Sequence, residues 1–318
     1  MQLGIVTPVF TRVPGSHASW ESEAGIEDAA RIAVKAEELG YHHVTCSEHV
    51  AIPTSAAPVR GARYYDPLAT FGFLAAQTTR LRFVTHVLVL PYHHPLAIAK
   101  RYGTLDRLSG GRLVLGVGVG TLAEEFALLG APFADRGTAT DEYLEAFKAL
   151  WTQERPAYRG THVSFADVIF SPKPLQKPHP PIWVGGESPA ALRRTIALGD
   201  TWYPANNNQT KPLDTPSRLG AAIGELRRLA QARGRDPASV RASLLVQNPF
   251  EWTAQKTQDG TARRLFTGSS ADMLADAAAL EAIGVGHVAI RLGGDSPADA
   301  VERIERFGRD VIGSCGRA

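Results

Sequence analysis

Cysteine is scarce in this chain. Its 318 residues carry two, Cys46 and Cys315. They form no CxxC pair, which excludes a disulfide framework and leaves a reducing, cytoplasmic setting as the expectation. Long apolar runs are also missing. The longest lies near residues 83–90, far short of the ~20 residues a membrane helix needs. The opening Met1-Gln2-Leu3-Gly4-Ile5-Val6 has no basic region and no long apolar core, so it does not read as a signal peptide. Neither sign of charge dominates. Lys and Arg total 34 against 32 Asp and Glu, a formal charge of +2. No strongly basic surface follows, and nucleic acid is not an expected partner. What remains is ordinary globular composition, 44% apolar and 21% charged, which argues against long disorder. Gly 30 and Pro 21 fit a fold with many short loops.

A prior of roughly 150 residues per domain suggests two domains, but an α/β barrel can use about 250 or more as one. The pattern along the chain decides for the barrel. Apolar runs of strand length fall at 3–6, 43–46, 81–90, 112–117, 182–184, 201–203, 240–246 and 287–292. Segments of helical period follow them at 26–39, 67–78, 96–108, 141–151, 188–198, 217–233, 271–283 and 298–311. Asp66 as N-cap with Pro67 at N1, and Ser188 with Pro189, mark two of the helix starts. Alternation without hairpins implies parallel strands and right-handed crossovers. Eight such pairs predict one α/β domain over 1–318, a (β/α)8 TIM barrel. The spare length sits at 52–65, 155–179 and 247–267. The first and third follow strands, which places these insertions at the C-terminal mouth, where barrel enzymes work.

Several strand ends carry groups with chemistry. The second ends in Cys46-Ser47-Glu48-His49, a carboxylate and an imidazole suited to acid–base work near neutral pH, or simply a pair that caps the loop. The third runs through Thr85, His86, Val87 and Leu88 to Tyr92-His93-His94. Barrel metallohydrolases usually begin with HxH on the first strand, and none stands there, so no metal is expected. The fourth passes into Gly116-Val117-Gly118-Val119-Gly120, followed by Thr121 and Glu124-Glu125. This is neither a dinucleotide fingerprint nor a P-loop. Its glycines let a flat ligand approach the backbone, or make a tight turn. After the fifth strand, Gly185-Gly186-Glu187-Ser188-Pro189 opens a helix. Free backbone N–H groups there suit an anion, Glu187 works against one, and the Ser188 cap explains the helix start by itself.

Together these segments resemble the bacterial-luciferase-like monooxygenase superfamily, more closely its branch that uses coenzyme F420, a deazaflavin. The resemblance rests on an ordered set spanning nearly the whole chain. It includes Ser47-Glu48-His49, the run Thr104-Leu105-Asp106-Arg107-Leu108-Ser109-Gly110-Gly111-Arg112, and Leu115 to Gly120. It continues with Pro172-Lys173-Pro174, Pro180-Pro181-Ile182-Trp183-Val184-Gly185-Gly186 and Gly199-Asp200-Thr201-Trp202. The resemblance implies that His49 lies near the reacting centre, with Glu48 tuning or orienting it. It places Val87-Leu88 in a third-strand bulge where the family has a cis peptide against the cofactor ring. Thr85, His86, Val87 and Leu88 would shape the ring pocket, with Gly118 and Gly120 beside it. Val184, Gly185 and Gly186 would line the cofactor tail, and Ala205-Asn206 the next strand end. Leu90 stands where several relatives have a polar residue. Thr121 stands where sugar-phosphate dehydrogenases of the family carry a catalytic Glu, which argues against their substrate. Tyr64, Thr121 and Trp202 are the expected substrate contacts; Trp252 is a further wall or ordinary packing.

The implied activity is hydride transfer between F420 and a small organic substrate, with the protein supplying binding, orientation and electrostatics. FMN-dependent two-component monooxygenation with reduced flavin and O2 is the alternative within enzymes. A non-catalytic flavin-binding protein and a metallohydrolase are alternatives of other classes. The resemblance also implies a homodimer.

Overall fold

The computed structural model describes residues 1–15 and 17–315. Eight parallel strands form a closed ring. They are β1 (Gln2–Val6), β2 (His43–Cys46), β3 (Arg82–Thr85), β4 (Leu113–Gly118), β5 (Ile182–Gly185), β6 (Thr201–Tyr203), β7 (Arg241–Pro249) and β8 (Val285–Arg291). Each pairs with its chain neighbours, β8 returns to β1 through Gln2↔His287 to Val6↔Arg291, and β5 joins β4 through Ile182↔Leu115. The expected TIM barrel is present. Its helices are α1 (Ile26–Glu38), α2 (Pro67–Gln77), α3 (Pro95–Leu108), α4 (Arg136–Thr152), α5 (Pro189–Leu198), α6 (Pro216–Ala232), α7 (Ser270–Ala282) and α8 (Pro297–Phe307).

Local chemistry sets many helix starts. The side chains of Asp66, Ser188, Thr215, Ser269 and Ser296 each accept from a backbone N–H in the first turn. Proline follows directly in four of them, where its missing N–H costs nothing. Strand alternation sorts the core into two layers. Val6, Val84, Val114, Trp183, Tyr203, Leu245 and Ala289 fill the barrel interior. Their sequence neighbours Ile182, Val184 and Trp202 face outward under the helices. His42, His43 and His287 cluster with Trp183 toward the N-terminal end, with His42 and His287 ring centroids 5.0 Å apart.

Four expectations change. The third strand is not continuous over 81–90. It breaks after Thr85 and resumes as Leu88–Val89, paired to Val117 and Gly118 of β4, then turns through Leu90–Tyr92. Gly116 permits the close approach at the break, since a Cβ there would sit 1.9 Å from the Thr85 carbonyl oxygen. The cis peptide in this bulge is His86–Val87, one residue earlier than expected. The fourth crossover helix begins at Arg136 rather than 141, after a short helix Ala123–Leu129. The last helix ends at Phe307, and Gly308–Ile312 continue as a wider π-type turn.

The run from Thr104 to Arg112 is structural. Asp106, fully buried, accepts from the backbone N–H groups of Leu175 and Gln176 at 2.7 and 2.9 Å, anchoring the segment that leads into β5. Arg112 donates to Thr78, Leu81 and Ala75 and covers the Phe83 ring. The insertion at 155–179 carries a small hairpin, Tyr158–Arg159 against Ser164–Phe165. A second antiparallel pair, Thr11–Arg12 with Arg63–Tyr64, joins the loop after β1 to the insertion after β2 at the mouth. Cys46 is buried and free; the side chain of Cys315 lies outside the described residues. No helix among the described residues is long and apolar enough to cross a membrane.

Candidate active site

The strand C-termini surround a cavity of about 380 Å³. Its walls come from the ends of the strands and the loops that leave them.

His49 leaves β2 into this cavity, edge-on to the Tyr64 ring at 4.6 Å. Its Nδ1 lies 2.5 Å from an oxygen of Glu125. Glu125, on the short helix after β4, is fully buried. It also accepts from the N–H groups of Val50 (2.6 Å) and Ala51 (3.1 Å) and from the Tyr92 hydroxyl (2.9 Å). Burial opposes ionisation of Glu125. Hydrogen bonds from His49, Ala51 and Tyr92 outweigh it and hold the carboxyl below its usual range. Burial, then the bond to Glu125, pushes the Tyr92 hydroxyl up. A carboxylate that can only accept assigns the Nδ1 proton to His49. With the proton on Nδ1, Nε2 is the nitrogen left to exchange one with a ligand.

The carboxylate on His49 is therefore Glu125, not Glu48. Glu48 is committed elsewhere: it accepts from Val89 N–H at 2.6 Å and pairs with His93 Nε2 at 2.7 Å. It fixes the third-strand bulge from below. Adjacency in the chain suggested Glu48 for His49, but the strand end points the two side chains at different neighbours.

A pair of aromatic polar groups lines the same cavity. The rings of His86 and Tyr203 meet edge-on at 5.4 Å, and both line the cavity. His86 Nδ1 and the Tyr203 hydroxyl are buried with no hydrogen-bond partner among the described residues. Burial, with the nearby Arg291 charge, pushes His86 down to about 4, and burial pushes Tyr203 up. Both are neutral at pH 7, and both keep a buried hydrogen-bonding atom without a partner among the described residues. Arg291, at the end of β8, is buried in the wall and donates to Gln247 at 3.3 Å.

The remaining wall is backbone. Gly118, Gly120, Gly185 and Gly186 line it together with Val87. A Cβ on Gly118 would lie 2.5 Å from Val87 Cγ2, so this face stays flat only with glycine. A flat heterocycle with polar edges fits the cavity: the glycine wall takes its face, and His86 and Tyr203 lack the partners its edge would bring.

The cavity gathers Glu48, His49, Tyr64, His86, Val87, Gly118, Gly120, Thr121, Gly185, Gly186 and Ala205 from the expected set. Five expected residues stand behind it. Thr85 donates to Gly116 O at 2.7 Å, Leu88 and Val184 pack in the outer core, and Asn206 holds the N–H of Gln247. Trp202 faces the helices because strand alternation turns Tyr203 inward; its indole N–H donates to Gly186 O at 2.8 Å. It supports the glycine wall from outside and is not a substrate contact. Trp252 packs on Phe250 beneath Arg306, away from the cavity. Glu187 accepts from Ala205 N–H and Asn208, and Ser188 caps α5. Among the described residues no three His, Cys, Asp or Glu converge as metal ligands. Sequence reading passed over Glu125, Tyr203 and Arg291. Only the Glu124-Glu125 pair after the glycine run gave a signal, and it did not say which carboxylate turns inward.

An eight-stranded parallel barrel, with a glycine-walled cavity and a carboxylate-held histidine at its C-terminal mouth, belongs to the α/β TIM-barrel class. Within that class the chain belongs to the luciferase-like monooxygenase family, whose model matches residues 1–307. An uncharacterised Mycobacterium tuberculosis protein is 34% identical over 258 residues, 77% of this chain and 88% of that one. An FMNH2-dependent dimethylsulfone monooxygenase of Pseudomonas putida is 34% identical over 164 residues, 51% of this chain and 43% of that one. In fold, the chain is similar to the coenzyme F420-dependent tetrahydromethanopterin reductase of Methanopyrus kandleri. The TM-score is 0.70 at 16% identity, over 92% of this chain and 96% of that one.

Proposed function

We propose that this protein is an oxidoreductase that takes up a dissociable flavin-type cofactor, F420 as the first reading, and acts on a small organic substrate at the mouth of one barrel domain. The observation that carries the reading is the cavity itself. His86 and Tyr203, each with a buried polar atom lacking a partner, line it together with a glycine wall and with a histidine held by a buried carboxylate. When bound, the cofactor supplies the redox chemistry, a hydride at C5 in the deazaflavin case. The chain's own residues do the rest. Gly118, Gly120, Gly185 and Gly186 make room for the ring and its tail. His86 and Tyr203 bond its polar edge. His49 holds or moves a proton at Nε2, with Glu125 fixing the ring of His49 and its tautomer. Tyr64 and Thr121 border the substrate space.

A second reading, FMN-dependent monooxygenation, is favoured by the similarity to the Pseudomonas putida enzyme. Fluorescence titration of the purified protein with F420 and with FMN separates the two. Tighter binding of F420 is the expected result, and tighter binding of FMN overturns the first reading. Retention of neither cofactor would remove both. A homodimer is part of the proposal, and light scattering on the eluting protein tests it.

A further inference from the structure

A second cavity, of about 490 Å³, opens at the opposite, N-terminal end of the barrel. Its rim is cationic. Arg82 is the first residue of β3, Arg241 the first of β7, and Lys177 comes from the segment leading into β5. None of the three makes an ion pair among the described residues. Their polar contacts are slight: Arg82 reaches Gln176 at 3.5 Å and Lys177 reaches the Pro174 carbonyl at 3.4 Å. Three imidazoles, His42, His179 and His287, complete the lining. Asp200 is the one carboxylate there, and one of its oxygens already accepts from Ile182 N–H at 2.8 Å. Behind the floor His43 is wholly buried, with Nδ1 3.1 Å from His42 Nδ1 and with Nε2 unpartnered.

Unpaired cations gathered around one concave space repel each other, and an anion relieves that repulsion. In a chain of net charge +2 such a gathering is local, not a general property of the surface. The same excess of positive charge argues against a metal cation. We propose that this cavity binds a compact divalent oxyanion, a phosphate or sulfate group, between Arg82, Arg241 and Lys177. The planar guanidinium groups match two oxygens at a time, and the ammonium adds a point charge. The space exceeds that of one free ion, so the head group of a phosphate monoester enters equally well. This site is separate from the cavity at the C-terminal mouth and stands whichever cofactor binds there.

The imidazoles give the site a pH dependence with a definite sign. Burial first, then the charges of Arg82 and Arg241, push His287 down to about 4. Burial, then His287 and Arg82, push His42 down to about 3. A bound anion favours their charged forms, so binding tightens as pH falls. His179 and Asp200 also line this space, His43 lies behind its floor, and the N-terminal ammonium adds to the downward push on His287.

Calorimetric titration of the full chain with sulfate, inorganic phosphate and glycerol 3-phosphate, at fixed ionic strength, tests the proposal. Saturable binding to one site is expected, tighter for sulfate at pH 5 than at pH 7. Arg82→Gln and Arg241→Gln should each weaken it by about tenfold or more while cofactor binding is unchanged. Stronger binding of the monoester assigns a larger ligand, and equal binding assigns the free ion. No saturable binding of any probe, or equal binding by the variants, overturns the proposal. Should the variants misfold, the unaltered chain decides: bound sulfate must slow chemical modification of Lys177 relative to Lys256, and equal rates refute the site.

Discussion

Glu125→Gln is the most discriminating change in this molecule. The native carboxylate accepts from His49, Val50, Ala51 and Tyr92 while fully buried. An amide oxygen can still serve the two backbone N–H groups. The amide nitrogen then faces His49 Nδ1 and the Tyr92 hydroxyl, a donor against two donors. Bonds to a charged group contribute about 1.5–3 kcal/mol each, and part of that returns as the neighbours turn. A net folding cost of about 2 kcal/mol follows, a few degrees in Tm. The larger effect is on the imidazole. To accept from the amide, His49 must move its proton to Nε2, and the nitrogen left for proton transfer changes from acceptor to donor. Loss of acid–base assistance of this kind costs about 10²-fold or more in turnover. Nitrogen NMR of His49 reads the tautomer directly, beside single-turnover rates of the cofactor-loaded protein. A folded variant with native rates and with Nδ1 still protonated would refute the assignment. The pH profile adds a check. Because the folded-state value of Glu125 lies below the ordinary carboxyl range, it stabilises the fold above that range. The contribution fades as pH falls through the folded value, and the glutamine variant lacks that acid limb.

His49→Ala should lower turnover by about 10²-fold or more with cofactor affinity nearly unchanged, measured by the same rates and titrations. Gly118→Ala places a methyl 2.5 Å from Val87 Cγ2, so cofactor binding should weaken by about tenfold at a strain of about 1–3 kcal/mol; fluorescence titration checks it. The chain should lose stability as pH falls below about 6.5, because buried His43 and partly buried His42 and His287 are neutral when folded and the unfolded chain takes up protons first. Each imidazole contributes up to ~1.4 kcal/mol per pH unit until its own folded value is reached. Urea midpoints from pH 7 to 4 measure this, and His287→Gln should flatten the slope.

The barrel was legible because its signals are repetitive and local. A hydrophobic run, a cap and an N1 proline recur along the chain, and Asp66-Pro67 and Ser188-Pro189 start helices as expected. In the third strand the apolar run Val87 to Leu90 looks like more strand, and only the family resemblance pointed to a bulge at Val87-Leu88. The site was half legible. Residues next to a strand end, such as His49 and Gly118, are placed by the strand. Glu125 reaches His49 across 76 positions, and nothing local states that pairing. Trp202 and Tyr203 show the same limit, since a three-residue strand leaves open which of two adjacent aromatics turns inward.

The single carboxylate of Glu125 binds the loop after β2, the turn after β3 and the helix after β4 into one piece. The far side of the mouth, where Gln247 and Arg291 sit, has its own anchors, with Arg263 clamped on Asp276. The rim is thus divided in two. One half is over-determined and tolerates little change. The other is anchored apart from Glu125, through Arg263 on Asp276 and through Phe250, Leu265 and Phe266 buried in the core. That partition marks Gln247, which lines the cavity on this side, as the place to begin altering which substrate the protein accepts.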